Sequence, residues 1–379
     1  MSVKFVDQTP TEIKYTTWTP LAETTPDPHE HDDLEDRLKP EHVEHIAEIF
    51  QTPLTGSYSW DYEECDQKIR RLYRLGKELN WNAEIDVDWS YTHPKTEFPF
   101  DEALNPFKGT NYDDMTEEEK LDVAWHNHCW TQSQFLHGEQ GALLVASQLV
   151  TCAPTYDAKL YAASQTFDEA RHVEVFGKYL NEKVGFMYPI NRHLKALLDK
   201  ILTDPRWDLK FIGMQIIIEG LALAAFRTTL LTTRDPLMRQ IVDYVIRDEA
   251  RHVAFGVLYM EEFVKSLSEE EREERAQFAY EACCVMRERL IATDVFAHFG
   301  WDVEFCRRTV LESQVMDQFR NLLFTRVMPN LKKVGLLTDR IRPKYEELGI
   351  LQYENLADDG MIDWAQLEQK YPEHQMPQA

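Results

Sequence analysis

The 379-residue sequence predicts an all-α protein in which a four-helix bundle carries additional N- and C-terminal helices. Three observations predict this class. The alternation of apolar and polar residues that is typical of strands is nearly absent. From Thr116 onward, long helical segments are separated by clear cap and stop signals. A pair of helices with the same chemical motif then occurs twice.

Composition excludes several classes of function. The chain carries 41 basic and 66 acidic residues, a formal net charge of −25. This charge argues against a nucleic-acid partner and against an anionic membrane surface, because both need clustered basic residues. The six cysteines contain no C-x-x-C spacing, and the N-terminal residues lack the apolar stretch of a signal peptide. We therefore expect reduced thiols and a cytoplasmic location.

Residues 1–115 are rich in Pro, Trp, Tyr and acidic residues, and they predict an N-terminal wrap with short helices near 40–50 and 65–79. Residues 116–300 predict the bundle and a fifth long helix. Its first helix begins after Thr116, which forms a capping box with Glu119, and ends before Pro154. Residues 301–379 predict a C-terminal helical extension.

The remaining bundle helices follow from their own signals. A second helix is expected over 157–184, ended by Gly185, and a short one over 192–202. Two Asp-Pro pairs, at 204–205 and 235–236, predict the starts of helices that reach about 232 and 266. Ser268 predicts the start of a fifth helix that runs to about 298.

The chemistry lies in an internal repeat. The pentapeptide D-E-A-R-H occupies 168–172 and again 248–252, 80 positions later. Each copy contains Glu-x-x-His, whose two side chains share one helix face. Glu139 and Glu219 lie in apolar helices, each 30 residues before the glutamate of a pentapeptide. This equal spacing predicts two helical hairpins that bring four carboxylates and two imidazoles to one level.

Such a cluster requires compensating positive charge, because an isolated buried carboxylate is costly. Two divalent metal ions would supply it. Carboxylate and imidazole ligands favour iron or manganese, and the absence of cysteine ligands makes zinc or copper weaker choices.

These motifs resemble the ferritin-like di-iron carboxylate proteins, which place Glu, Glu-x-x-His, Glu and Glu-x-x-His on four helices. The D-E-x-R-H form is similar to bacterial multicomponent monooxygenase hydroxylases and acyl-carrier-protein desaturases. The resemblance implies six metal ligands: Glu139, Glu169, His172, Glu219, Glu249 and His252. It also implies that Asp168, Arg171, Asp248 and Arg251 orient the histidines, with each Asp accepting from the opposite His.

Departures from family patterns leave the subfamily open. Glu139 stands where the small subunit of ribonucleotide reductase usually has Asp, and Phe176 stands where that protein has its radical tyrosine. Val245 replaces the additional histidine ligand of the arylamine N-oxygenases, and Leu223 replaces a threonine favoured in monooxygenases and desaturases.

The resemblance implies a dioxygen-activating enzyme with two Fe ions, or with Mn/Fe or Mn, that hydroxylates or N-oxygenates a small organic substrate. The alternatives are an acyl desaturase-like oxidase and a ferroxidase or radical-generating protein without organic product. Because no redox-cofactor motif occurs, an electron-donor reductase or ferredoxin is implied, and a homodimer is compatible with the class. Helical spacing predicts the pocket wall: Ala142, Leu143, Phe176, Ala222 and Leu223. We expect His128 to be a satisfied core histidine and Tyr161 a packed bundle tyrosine.

Overall fold

The computed structural model describes residues 50–60, 62, 66–360 and 363–368. The helices are α1 Gln67–Glu78, α2 Glu117–Cys152, α3 Tyr156–Tyr179, α4 Arg192–Thr203, α5 Trp207–Thr232, α6 Pro236–Val264, α7 Glu269–Glu288, α8 Thr293–His298, α9 Val303–Glu312, α10 Gln314–Lys333, α11 Arg342–Glu347 and α12 Trp364–Leu367. Over the described ranges, β structure is limited to an isolated bridge between Phe100 and Thr233. The all-α prediction is confirmed.

Helices α2, α3, α5 and α6 form the four-helix bundle. Helix α2 packs against α3, α5 packs against α6, and the contact between α3 and α6 joins the two hairpins. This is the ferritin-like arrangement that the repeated motif predicts. The helix predicted near 65–79 is α1, which packs on α3 and α6, whereas the helix predicted near 40–50 falls almost entirely outside the described residues.

Local capping explains most helix boundaries. The Thr116 side chain accepts from the backbone N–H of Glu119, whose carboxylate accepts in return from the N–H of Thr116. Asp235 accepts from the N–H groups of Leu237 and Met238 and starts α6 as predicted. Helix α3 continues into a π-helical turn, Leu180–Val184, and ends at Gly185 with a φ of 91°.

The predicted start of α5 is wrong by two residues. Asp204 does not cap α5, because its carboxylate accepts from the backbone and side chain of Arg206 and from Lys200, at the end of α4. Helix α5 therefore begins at Trp207. It also contains a π-helical segment, Phe211–Ile218, that ends immediately before Glu219.

Helix α5 is the apolar centre of the molecule. Its length and composition would allow it to cross a membrane, but 89% of its most apolar window is buried within the protein. This burial is expected of a core helix, because the surrounding helices cover its apolar surface.

The fifth long helix is shorter than predicted. Helix α7 ends at Glu288, and the chain turns before the separate helix α8. Arg289 is the C-terminal cap residue of α7, so it lies at this turn instead of inside a continuous helix. Helix α10, which belongs to the C-terminal extension, packs across α5.

Candidate metal centre

The four bundle helices bring the six predicted ligand residues together. Each of these six side chains belongs to a residue no more than 4% exposed. Their donor atoms form two overlapping groups, and within each group the atoms lie within 4.8 Å of one another. The first group is Glu139, Glu169, His172 and Glu249, and the second is Glu169, Glu219 and His252. Glu169 is shared, so the geometry offers two adjacent subsites.

The two imidazoles face the carboxylates through the same ring nitrogen. His172 Nδ1 lies 3.1 Å from Glu139 Oε2 and 3.3 Å from Glu249 Oε1. His252 Nδ1 lies 3.1 Å from Glu169 Oε1 and 3.5 Å from Glu249 Oε1. Glu249 therefore lies between the two histidines, and it could join both subsites.

The other ring nitrogen of each histidine points to an aspartate of the opposite motif. His172 Nε2 lies 3.2 Å from Asp248, and His252 Nε2 lies 3.2 Å from Asp168. Because an ionised aspartate only accepts, each Nε2 donates, and Nδ1 is left as the ring nitrogen that faces the carboxylates and could bind a metal ion. This crossed arrangement has the pseudo-symmetry of the repeated pentapeptide.

Two arginines compensate the charge of these aspartates. Arg171 Nη2 donates to Asp168 at 2.5 Å and to Asp248 at 3.1 Å. Arg251 Nη2 donates to Asp168 at 3.3 Å and also contacts Asp248. Burial opposes the charge of Asp248, but Arg251, His172 and Arg171 outweigh burial and hold its pKa well below the usual range. The aspartates are therefore already paired and leave the glutamates without compensation.

The electrostatics of the glutamates fit a pair of cations. Burial, followed by repulsion from Glu249, raises the pKa of Glu139 and of Glu219 well above the usual value. Burial also opposes the charging of His172, but hydrogen bonds with Asp248 and the glutamates outweigh it and raise the pKa. Several buried atoms that could bind a metal ion lack a hydrogen-bond partner: Glu169 Oε2, Glu219 Oε2, both oxygens of Glu249, and His252 Nδ1. Oxygen and imidazole donors with free lone pairs suit iron or manganese.

Sequence reasoning missed two residues that contact this cluster. Trp81, in the N-terminal wrap, donates from Nε1 to Asp248 at 2.8 Å, and its ring centroid lies 6.4 Å from that of His172. Gln165 donates to Glu219 at 2.8 Å and to Glu169 at 3.2 Å. Gln165 could have been found, because it lies one helical turn before Glu169. Trp81 had no local signal, because its contact is made only by the fold.

Two cavities adjoin the centre. The smaller, of about 10 Å³, is lined by Glu139, Glu219 and Glu249. The larger, of about 360 Å³, extends between α2 and α5 and is covered by residues of α10 and of the segment 100–106. Both cavities are lined by Gln134, Phe135 and Arg289, and we call these three residues the neck. An organic molecule in the larger cavity would therefore reach the carboxylates through the neck.

The predicted pocket wall is only partly what the structure shows. Ala142 and Ala222 line the smaller cavity. Phe176 lines neither cavity, and its ring centroid lies 5.8 Å from that of Phe135. Leu143 and Leu223 line neither of these cavities; Leu223 packs in the apolar core, and Leu143 lies about 100° around α2 from Ala142.

His128 and Tyr161 are buried in the bundle as expected, and His128 has a further contact with the larger cavity. His128 Nε2 lies 2.8 Å from the Tyr179 hydroxyl, which donates to Asp235 at 2.7 Å. His128 also lines the larger cavity, which the sequence did not predict. Tyr161 is fully buried, and its ring lies 4.4 Å from that of Phe255.

Comparison with known proteins gives one family match. The family model for the p-aminobenzoate N-oxygenase AurF matches residues 62–335, well over half of the chain. One similar solved structure is an R2-like ligand-binding oxidase with aerobically reconstituted metal cofactor after photoconversion. It is 18% identical, with a TM-score of 0.45, over 72% of this chain and 94% of that chain. An R2-like ligand-binding oxidase with aerobically reconstituted Mn/Fe cofactor after a long soak is also 18% identical, with a TM-score of 0.44, over the same shares. No curated protein matches the sequence significantly.

Proposed function

Because the chain belongs to the AurF family of p-aminobenzoate N-oxygenases, we propose that it transfers one oxygen atom of dioxygen to the nitrogen of a small primary amine. The family places the chain among the dioxygen-dependent di-metal oxidoreductases that act on an organic substrate, as its sequence motifs predicted. Val245, which replaces the additional histidine of the arylamine N-oxygenases, is therefore a departure within the family. Its side chain is fully buried and apolar, so it adds no ligand.

The observation that carries the proposal is the shared neck. The larger cavity, at about 360 Å³, falls within the range of small-molecule sites and is lined mainly by apolar and uncharged polar side chains. It meets the carboxylate cluster at Gln134, Phe135 and Arg289. A protein that only oxidised or stored iron would not need an organic cavity at this position.

We propose that the six side chains that converge in the bundle hold two metal ions. Glu139, Glu169, His172 and Glu249 would hold one ion, and Glu169, Glu219 and His252 the other. Bound there, a pair of irons or an Mn/Fe pair supplies the redox chemistry that activates dioxygen. Asp168 and Asp248 keep the imidazoles oriented, and the buried bundle excludes bulk water from the cluster.

The reaction balances with an external reductant. One oxygen atom forms the N–O bond of a hydroxylamine, and the other leaves as water. Two electrons and two protons must enter in each turnover, and we propose a flavin or iron–sulfur reductase, or a ferredoxin, as the electron donor. A homodimer and a cytoplasmic location remain predictions from the sequence.

The test combines metal content with product analysis. Purified protein would be loaded anaerobically with Fe(II), its iron and manganese quantified, and then exposed to isotopically labelled dioxygen with a series of primary arylamines. We expect about two metal ions per chain and labelled N-oxygenated product. Glu249→Ala should lose metal and product, whereas Glu262→Ala, an exposed position on the same helix, should retain both.

Two outcomes would contradict the proposal at different levels. Less than about one redox metal ion per wild-type chain would contradict the proposal that these six side chains hold two metal ions. About two metal ions with oxygen consumption, but without an N–O product from any amine tested, would retain the centre and reject N-oxygenation.

A further inference from the structure

Arg289 lies between the metal centre and the larger cavity. It is one of the three neck residues that line both cavities. Of the residues that the structure places on the wall of the larger cavity, it is the one with a permanent formal charge. The other basic residue on that wall, His128, is held neutral because burial lowers its pKa to about 3.

Arg289 has no carboxylate partner among the described residues. Its guanidinium donates from Nη1 to the Met286 sulfur at 3.8 Å, and the charge of Glu139 attracts it. Burial lowers its pKa to about 10, so the guanidinium stays protonated at neutral pH.

Metal binding would leave this positive charge in excess. Two divalent ions would cancel the charge of the four glutamates, and Arg171 and Arg251 already pair with Asp168 and Asp248. Nothing in the loaded centre would then neutralise Arg289. A guanidinium that faces a largely apolar cavity forms strong, bidentate hydrogen bonds with a carboxylate.

The sizes of the two cavities set the orientation of the bound molecule. The smaller cavity, of about 10 Å³, holds no more than a water-sized group. The body of a substrate must therefore lie in the larger cavity, beside aromatic side chains such as Phe135 and Phe319. The part of the substrate that reaches the metal centre is then the part beside Arg289.

We propose that Arg289 binds the carboxylate of the substrate and that the oxidised nitrogen is attached next to that carboxylate. An aromatic acid with an ortho amino group meets both conditions. A para amino group would point into the larger cavity, away from the carboxylate cluster. This inference rests on the proposed function, because it takes the occupant of the larger cavity to be the substrate.

The first experiment measures binding without turnover. Benzoate and its neutral analogue benzamide would be titrated calorimetrically into the Mn(II)-loaded full-length protein without a reductant. Wild type should bind benzoate at least about tenfold more tightly than benzamide, since a hydrogen bond to a charged group contributes about 1.5–3 kcal/mol. Arg289→Met should remove this preference, and Arg289→Lys should restore part of it. Arg287→Met is the matched control, because Arg287 is near the same helix end and lines neither cavity.

The second experiment tests the orientation. A benzoate with one fluorine ortho and one fluorine para to the carboxylate would be bound to the Mn(II)-loaded protein. Paramagnetic relaxation falls steeply with distance from manganese, so the ortho fluorine should relax faster than the para fluorine within the same molecule.

The outcomes separate this inference from the proposed function. Equal benzoate affinity in wild type and Arg289→Met, or equal affinity of wild type for benzoate and benzamide, would overturn the role of Arg289. Faster relaxation of the para fluorine would overturn the orientation. Arg289-dependent binding with the ortho fluorine nearer the metal, but no N–O product from any amine tested, would keep the Arg289 contact and the orientation and reject N-oxygenation. An N–O product from para-aminobenzoate but not from ortho-aminobenzoate would overturn the ortho position of the oxidised nitrogen.

Discussion

At the residue scale, the candidate centre depends on side chains that do not belong to the ligand set. Asp248 accepts from His172, Trp81 and Arg171, and it also pairs with Arg251. One carboxylate thus orients an imidazole and compensates two buried guanidinium groups. The resemblance to the di-iron carboxylate proteins implied the partners of Asp248 within the bundle, and the structure shows these contacts. The resemblance could not predict Trp81, which reaches the aspartate from outside the repeat.

Replacing Asp248 by Asn should destabilise the apo protein strongly. The change leaves Arg171 and Arg251 with one buried carboxylate between them, and the loss of one partner from a buried ion pair costs about 3–5 kcal/mol. Denaturant unfolding would measure the free energy of unfolding. Asp243→Asn is the control on the same helix, since its ion pair with Arg247 is 40% exposed on the aspartate side and should contribute less than about 1 kcal/mol. Equal losses in the two variants would argue against the buried network.

Replacing Gln165 by Leu should weaken metal binding more than folding. Its amide donates to Glu219 and Glu169, so it fixes two carboxylates of the second subsite. Loss of a residue that orients a ligand typically reduces metal affinity about 10–100-fold. Mn(II) titration followed by electron paramagnetic resonance would detect this as a loss of Mn(II) affinity. Gln148→Leu is the control, because Gln148 is also buried but donates to the Leu202 carbonyl and not to a carboxylate of the cluster. It should leave Mn(II) affinity unchanged.

At the element scale, periodicity and caps predicted where helices exist, but the start of α5 and the end of α7 differ from the prediction. The Asp-Pro pair at 235–236 starts α6, but the identical pair at 204–205 does not start α5, because Asp204 is bound by Arg206 and Lys200. The π-helical segment Phe211–Ile218 had no signal in the sequence. Its position before Glu219 agrees with the frequent occurrence of such segments at functional sites.

The packing of α6 against this π-helical segment predicts a sensitive glycine. A Cβ added at Gly256 would lie 2.4 Å from Gln215 Cβ, one turn before Glu219. Gly256→Ala should therefore push the two helices apart, cost about 1–3 kcal/mol, and reduce Mn(II) affinity by displacing Glu219. Gly177→Ala is the control, because its added Cβ would meet only Leu136, at 3.9 Å. Unfolding and Mn(II) titration of both variants test this, and an unaffected Gly256→Ala protein would refute the close approach.

The junction of α4 and α5 predicts a pH dependence. Lys210 is fully buried and donates to the carbonyls of Ile201 and Leu202, and burial lowers its pKa from 10.5 to about 8. Between these values the unfolded chain binds more protons than the folded protein does. The contribution of Lys210 to the free energy of unfolding should thus rise with pH from about 8 toward 10.5.

Denaturant unfolding at several pH values between about 8 and 10 would measure this slope. Lys210→Met should remove the part of this slope that Lys210 contributes, because the variant has no amine at this position to titrate. Lys195→Met, at a partly exposed position of α4 paired with Asp199, should keep the wild-type slope. Identical slopes in all three proteins would show that Lys210 titrates normally.

At the scale of the whole molecule, the sequence predicted the bundle and its six converging residues but not the cavities. The six converging residues could be placed because they repeat at one spacing on long helices. The larger cavity could not, because its wall combines α2, α5, α10 and the segment 100–106, which are far apart in the sequence. Arg289 was missed for a related reason. The sequence predicted that it continued a helix, whereas α7 ends there and the side chain at this turn lines both cavities.

The four buried glutamates make folding and metal binding interdependent. In the apo protein, burial and mutual repulsion raise the pKa of Glu139 and Glu219, which means that their ionised forms oppose folding. A metal ion that binds only the folded protein stabilises it by about 4 kcal/mol when its free concentration is 1,000 times the dissociation constant. The metal-loaded protein should accordingly melt several degrees above the chelated protein, and the difference should grow with Mn(II) or Fe(II) concentration.

Calorimetric melting of chelated and loaded protein would measure this difference. Glu169→Ala should melt at the same temperature with and without metal, because Glu169 belongs to both subsites. Glu174→Ala, an exposed position on the same helix, should retain the full shift. A shift of equal size in Glu169→Ala would place the stabilising ions elsewhere on this acidic protein. Loss of the melting shift in Glu169→Ala alone would show that metal ions bound between the four helices stabilise the bundle.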